Sequence, residues 1–280
     1  MQKALRKYGA FFTLPAALAF LVAFLAPFFM GLYLSFTRFS TVTDSHWVGI
    51  SNYVKAFQDG DFLNALVFTA KFAVVSVVSV NLIAFLLALL LTRGLKGTNF
   101  FRTVFFIPNL IGGIVLGYIW QLILNGLLYP FEVTLTTDPA YGFWGLALLM
   151  NWQMIGYMMI IYIAGIQNIP GDLTDAAEVD GAKPTQVLRH VTIPMVMPSI
   201  TICLFLTLTN SFKLFDQNLS LTAGAPAKQS EMMALNIFNT FYGSTGYEGV
   251  GQAKAVVFFL LVAAIAFIQL RLTQRREVES

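Results

Sequence analysis

The residues able to do chemistry are few, and most of them stand inside long apolar runs. Gln153 and Tyr157 are four apart, beside Asn151, Trp152 and Gly156, and Thr207, Asn210, Ser211 and Lys213 recur further on, with Gln217 just beyond. On helices these intervals put amide, hydroxyl and aromatic side chains on shared faces. Their chemistry is hydrogen bonding and ring stacking rather than bond making. Two readings stand for them: contacts with a polar solute, or the interhelical contacts that Asn, Gln, Ser and Thr make in membranes. Lys213 is the most informative, because a cation in or near a bilayer is costly and often functional. An ion pair with Asp216 near the outer interface is its structural alternative, and Lys71 poses the same question.

The second group is polar and contiguous, from Asp172 to Pro194. Asp172, Asp175 and Glu178 recur every three residues as an acidic stripe, with Leu173, Ala176, Ala177 and Asp180 on a neighbouring face of smaller residues. Pro170-Gly171 marks a turn, and Asp172 is the expected N-cap, with Asp175 closing an imperfect capping box. Gly181 is suited to break the helix, and Pro184 to open a second one carrying Val187, Leu188 and Val191 on one side. The pattern predicts helix, glycine joint, helix. Such a segment is either a solvated amphipathic connector or a docking element, in which Ala176, Ala177 and Gly181 admit a close partner surface and the acids set register.

Other chemistry lacks its residues. Cys203 is the single cysteine and sits in an apolar run, and His46 and His190 fall on opposite sides of the deduced membrane, which leaves a metal site without support. Gly94-Leu95-Lys96-Gly97-Thr98 lacks the spacing of a phosphate loop, and no Ser/His/Asp set or facing carboxylate pair is placed for catalysis.

The elements that must position these residues are membrane helices. The chain has 280 residues, 57% hydrophobic and 11% charged, with a mean hydropathy of +0.72, well below the quarter charged of an ordinary soluble domain. Six apolar stretches approach the roughly 20 residues that cross a bilayer core: Phe11–Phe36, Ala65–Thr92, Thr103–Leu124, Phe143–Gln167, Ile193–Phe215 and Gly251–Leu270. The first is too long for a signal peptide and is expected to remain as a span. Pro15, Pro27, Pro108, Pro194 and Pro198 predict kinks, and Gly112, Gly113 and Gly117 predict close helix packing. One membrane domain, residues 1–280, is expected, with no separate soluble domain and no nucleic-acid binding.

Orientation follows from the cations. Lys3, Arg6 and Lys7, then Arg93, Lys96 and Arg102, then Lys183 and Arg189, then Arg271, Arg275 and Arg276 fall on one side, against mainly Arg38, Lys55 and Lys228 on the other. The positive-inside rule puts both termini and the Asp172 loop in the cytoplasm. Trp47, Tyr53, Tyr129, Tyr141, Trp144 and Tyr242 then fit an external aromatic belt, and the Thr37–Asn64 loop has room for a small surface helix.

Asp175-Ala176-Ala177, Asp180-Gly181-Ala182 and Val191-Thr192-Ile193-Pro194 carry a resemblance. They are similar to the EAA loop of permeases in binding-protein-dependent ATP-binding-cassette (ABC) importers, with Asp175 where Glu is usual. Phe106-Ile107-Pro108, Phe215-Asp216 ahead of Thr222-Ala223-Gly224-Ala225-Pro226, and Gln269-Leu270-Arg271 resemble the carbohydrate branch, in particular its maltose-type first permease. The resemblance implies an all-α integral membrane protein of the bacterial cytoplasmic membrane: six transmembrane helices, a cytoplasmic coupling-helix loop over 168–194, and the ABC type I importer permease fold. It implies a second, homologous permease, two copies of a cytoplasmic ATP-binding subunit holding Mg-ATP, an extracytoplasmic solute-binding protein, and no cofactor in this chain. Asp172, Asp175, Ala176, Ala177, Glu178, Asp180, Gly181 and Ala182 are then the grip for the ATPase. Asn151, Trp152, Gln153, Tyr157, Asn210, Ser211 and Lys213 become candidates for the sugar path. A glycerol-phosphate ester or polyol is the alternative substrate, and an ATP-independent secondary transporter or channel the alternative class; the lack of a carboxylate deep in any span weighs against a carrier, and a passive pore leaves the Asp172 loop unexplained.

Overall fold

The computed structural model describes residues 13–41, 43–243 and 245–274. Phe11, where the first span was expected to begin, and Lys3, Arg6, Lys7, Arg275 and Arg276 lie outside them. Helices dominate: α1 Thr13–Leu34, α2 Ser51–Gln58, α3 Gly60–Leu91, α4 Thr98–Phe106, α5 Gly113–Leu128, α6 Pro139–Gln167, α7 Gly171–Val179, α8 Pro184–Met195, α9 Met197–Phe212, α10 Asp216–Leu221, α11 Met233–Gly243 and α12 Glu248–Gln274. A small antiparallel pair, β1 Thr37–Phe39 and β2 Ser45–Trp47, follows α1, with Arg38 opposite His46.

Among the described residues, five helices are long and apolar enough to cross a membrane, and six if α8 and α9 form one broken span. The expected runs are recovered with two physical corrections. The stretch expected as one span over Thr103–Leu124 is two helices. Pro108 cannot donate a backbone hydrogen bond, and the chain there tightens into a 3-10 turn, Ile107–Leu110, followed by an extended Gly112 before α5 starts. The span expected over Ile193–Phe215 is interrupted at Val196, where α8 and α9 meet at a bend of 69° beside Pro194 and Pro198. Both breaks fall at prolines where kinks were expected, Pro108 and the Pro194–Pro198 pair, whereas hydropathy reports apolar length and not backbone continuity and marks neither.

Contacts divide the chain into two compact units. The first comprises residues up to Gly60 with Ile237–Phe259. Here α1 is apolar all round, and the chain leaving it is tied by Asn52 of α2. Its side-chain amide donates to the Ser35 and Thr37 carbonyls at 2.9 and 2.8 Å, satisfying backbone acceptors that the end of α1 leaves open. The expected surface helix is thus present as α2. Lys254 of α12, fully buried, donates to Asp59 Oδ2 at 2.6 Å and to Thr240 Oγ1 at 2.7 Å, joining the end of α2 to α11 and α12.

The second unit comprises Asp61–Asn236 and the residues from Leu260 onward, and its axis is α6. Its most apolar window is 61% buried, against 33% for α3 and less for the other candidate spans. Met150, Met154, Met158 and Met159 of α6 pack with Phe72, Val80 and Ala84 of α3, Leu116 of α5 and Cys203 of α9, where Cys203 behaves as a small buried apolar residue. Such close packing requires glycine. A side chain at Gly156 would collide with the Phe105 carbonyl of α4, and side chains at Gly113 and Gly117 would meet Asp216 and Ser220 of α10. Gly113 and Gly117 therefore have the packing role their positions suggested. Gly112 does not; its extended backbone lies in open space at the break.

Candidate functional site

The Asp172 loop folds as helix, joint, helix. α7 spans Gly171–Val179 with Pro170 at its N-cap, and no side chain caps it. Asp172 thus lies two residues past the cap position, and no Asp175 capping box forms. The Pro170-Gly171 turn already supplies the reversal, which places Asp172 in the first turn, where its charge suits the helix dipole. The far end closes by backbone geometry: Ala182 N–H donates to the Ala177 carbonyl and Gly181 N–H to the Glu178 carbonyl, both at 3.0 Å, with Gly181 at φ +76°. This is a Schellman motif, which needs a residue tolerant of the left-handed region, as glycine is. α8 then begins at Pro184, where the Lys183 N–H donates to Gln186 Oε1 at 2.7 Å.

The surface of α7 is polar and open to solvent. Asp172, Asp175, Glu178 and Asp180 are exposed, and among the described residues none takes part in an ion pair or accepts a side-chain hydrogen bond. Ala176 and Gly181 are exposed, Ala177 and Ala182 half-buried, and Val179 is 88% exposed.

The intramembrane group divides. Gln153, 9% exposed, accepts from Gln217 Nε2 of α10 at 2.8 Å, and its own amide points to the Ile111 carbonyl at 3.4 Å. The amide pair thus meets the broken third span at the point where its backbone leaves helical geometry. Trp152 is 43% exposed and meets Trp120 of α5 edge to face, centroids 5.6 Å apart. Both indoles lie well inside their helices, away from the span ends where belt aromatics sit. Tyr157 faces Phe106 with centroids 6.4 Å apart. Asn151 bonds Ser79 of α3 at 2.9 Å and the Ala147 carbonyl at 2.8 Å, while its side-chain oxygen is buried without a partner.

Asn210 and Ser211 instead bond the Leu206 and Thr207 carbonyls of their own helix. Lys213 follows α9 as its C-cap, exposed, and makes no ion pair with Asp216 among the described residues, so the paired alternative is not formed. The sequence grouped Asn151, Trp152, Gln153, Tyr157, Asn210, Ser211 and Lys213 with Gln217 just beyond; the structure joins Gln153 to Gln217 and, among the described residues, gives Asn210, Ser211 and Lys213 no hydrogen bond to that pair.

Sequence reasoning missed three polar constructions. Tyr162 donates to Asn81 Oδ1 at 2.8 Å and Asn81 to Thr207 Oγ1 at 3.2 Å, a clasp across α3, α6 and α9. Asn218 donates to the Ser230 carbonyl at 2.8 Å and accepts from Met232 N–H at 2.9 Å, knitting the turn around Thr222-Ala223-Gly224. Lys254, inside the expected sixth span, carried the same signal that singled out Lys213 and Lys71.

These features define a polytopic helical membrane protein in which a broken span meets a buried amide pair and a helix–glycine–helix loop leads into a second, bent span. The chain belongs to the family of binding-protein-dependent transport system inner membrane components, whose sequence profile matches residues 93–278. It is an integral protein of the cytoplasmic membrane; subunits of this kind are permeases rather than enzymes, and the ATPase is a separate subunit. It is 46% identical over 277 residues to the probable starch degradation products transport system permease protein AmyD of Thermoanaerobacterium thermosulfurigenes, covering 96% of this chain and 94% of that one. It is 29% identical over 289 residues to the multiple sugar-binding transport system permease protein MsmF of Streptococcus mutans, covering 99% of each. The crystal structure of a bacterial ABC transporter involved in import of the acidic polysaccharide alginate contains a chain of the same fold, with a TM-score of 0.83 at 21% identity over 98% of each chain.

Proposed function

We propose that this chain is a single transmembrane domain that passes a sugar or oligosaccharide inward, as one of two different permeases in an importer fed by an external solute-binding protein and driven by two copies of a cytoplasmic ATPase holding Mg-ATP. The observation that carries the reading is the end-to-end likeness to the permease for starch degradation products, 46% identical over 96% of this chain. Arg93, Lys96, Arg102, Lys183, Arg189 and Arg271 favour cytoplasmic termini and a cytoplasmic Asp172 loop.

In this scheme α7 is the helix the ATPase grips. Asp172, Asp175, Glu178 and Asp180 offer unpaired carboxylates, Ala176, Ala177 and Ala182 allow close approach, and Gly181 fixes the angle at which α8 leaves. ATP-driven closure of the partner then becomes motion of helices, a coupling free energy carried by a rigid element. The solute path runs past the Gln153–Gln217 pair and the face of Trp152, with Asn151 and Tyr157 on the same helix and Asn210, Ser211 and Lys213 on α9. Amides hydrogen-bond hydroxyls and indoles stack on pyranose faces, which is the chemistry a saccharide demands.

The test is uptake by the reconstituted complex of labelled malto-oligosaccharides, with glycerol 3-phosphate as the competing substrate class. Binding-protein-dependent, ATP-dependent saccharide uptake is expected. Transport of the phosphate ester alone, or uptake indifferent to ATP, overturns the reading.

A further inference from the structure

A cavity of about 300 Å³ opens where α3 ends, between that end, the tail of α7 and the side of α8. Its polar lining is Arg93, Glu178, Thr185 and Thr192, and Leu89 and Leu188 contribute to its apolar wall. Arg93 and Glu178 carry opposite charges into one cavity, yet among the described residues they form no ion pair, and neither threonine hydroxyl has a hydrogen-bond partner. The space between the two charges is therefore suited to a ligand carrying both signs. A purely anionic group would meet the Glu178 carboxylate, and a purely cationic one the Arg93 guanidinium. Arg93 lies two residues past the end of α3 at Leu91, which sets the cavity at the depth of lipid headgroups, with Leu89 on the acyl side.

We propose that this cavity holds the headgroup of a phosphatidylethanolamine from the surrounding inner leaflet, with its phosphate at Arg93 and the Thr185 and Thr192 hydroxyls and its ammonium at one oxygen of the exposed Glu178 carboxylate, whose other oxygen stays open to the ATPase. Arginine is suited to a phosphate through its planar fork of donors. The ammonium supplies N–H donors to a carboxylate, which a choline headgroup cannot. Ala182, next to the Gly181 joint, also lines the cavity, so an occupied site braces the angle between α7 and α8. The inference rests on the cytoplasmic placement of the loop proposed above.

The test is native mass spectrometry of the copurified transporter, titrated after delipidation with phosphatidylethanolamine, phosphatidylcholine and phosphatidylglycerol of identical acyl chains. Wild type is expected to retain one ethanolamine lipid about fivefold more tightly than the choline lipid, equivalent to about 1 kcal/mol. Arg93→Gln and Thr185→Val are expected to erase that difference; Arg93 is exposed, so its substitution leaves the fold intact. Equal retention of the ethanolamine and choline lipids, stronger retention of the glycerol lipid, or a preference that survives Arg93→Gln overturns the proposal. So does a preference present in the permease pair but lost when the ATPase is bound, because the partner then fills the cavity. Labelling of Thr185→Cys by an impermeant thiol reagent in inverted vesicles but not in whole cells checks the orientation separately. Failure there, with headgroup selection intact, removes only the assignment to the inner leaflet.

Discussion

The buried Lys254 gives the sharpest quantitative prediction. Its ammonium is out of contact with solvent and held by Asp59 at 2.6 Å, whereas the Asp59 side chain keeps 36% of its exposure. That asymmetry fixes the expected order of effects. Asp59→Asn removes the counter-charge from a lysine that cannot reach water, and stranding a buried charge costs about 3–5 kcal/mol in fully enclosed pairs. Here the carboxylate is partly solvated and Thr240 remains as an acceptor, so about 2 kcal/mol is expected, an apparent melting temperature lower by about 4–8 °C. Lys254→Met removes the buried charge and leaves a carboxylate that water can reach, so about 1 kcal/mol or less is expected. The double variant should resemble Lys254→Met alone, giving a coupling energy of about 2 kcal/mol between the two sites, the whole cost of Asp59→Asn. The assay is thermal unfolding of the purified complex in one detergent, read by intrinsic fluorescence and repeated at two heating rates. Additive effects, or a lysine substitution costing more than the aspartate one, would refute the view that Lys254 is a desolvated charge depending on Asp59.

Three further outcomes follow from geometry. Gly181→Val places a β-branched residue at φ +76° with open space around it, so its cost of about 1–2 kcal/mol is purely backbone strain; sugar-stimulated ATPase activity should fall, and Gly181→Asn should retain most of it. Gly156→Leu drives a side chain into the Phe105 carbonyl and should cost at least about 3 kcal/mol, read as loss of the assembled complex in size-exclusion chromatography. Gln153→Ala strands the Gln217 amide and should change uptake kinetics severalfold, through about 1 kcal/mol of lost hydrogen bonding, while thermal stability moves little; unchanged kinetics would remove Gln153 from the solute path.

Much of this was legible in the residues, for identifiable reasons. Apolar length predicts membrane helices because lipid accepts few other backbones, and the Pro184 start and Gly181 joint were readable because few residues suit those conformations. The cap expected at Asp172 falls two positions earlier, at Pro170, because Pro170-Gly171 completes the turn without a side-chain acceptor. Side-chain partners are a different matter. Asn81, Tyr162 and Thr207 are far apart in sequence and meet only once α3, α6 and α9 are packed. Lys254 and Lys213 read alike in sequence, yet one is enclosed and paired while the other stands exposed at a helix end. That distinction depends on packing, which residue type does not encode.

The bend at Val196 bears on how force travels. α8 runs over twelve residues, Pro184–Met195, with a π-helical turn at Leu188–Thr192 in its middle, and would reach about 18 Å if it were α-helical throughout; the Gly181 joint lies ahead of it and a 69° elbow to α9 behind. A straight helix pushed along its axis would transmit only piston travel across the membrane. In the scheme proposed above an angled one would act as a bell-crank: swinging α8 by about 10° would sweep its tip sideways by about 3 Å and turn a push from the ATPase into a lateral displacement of α9. The elbow thus exchanges axial thrust for sideways throw, and opening a pathway between neighbouring helices needs the second.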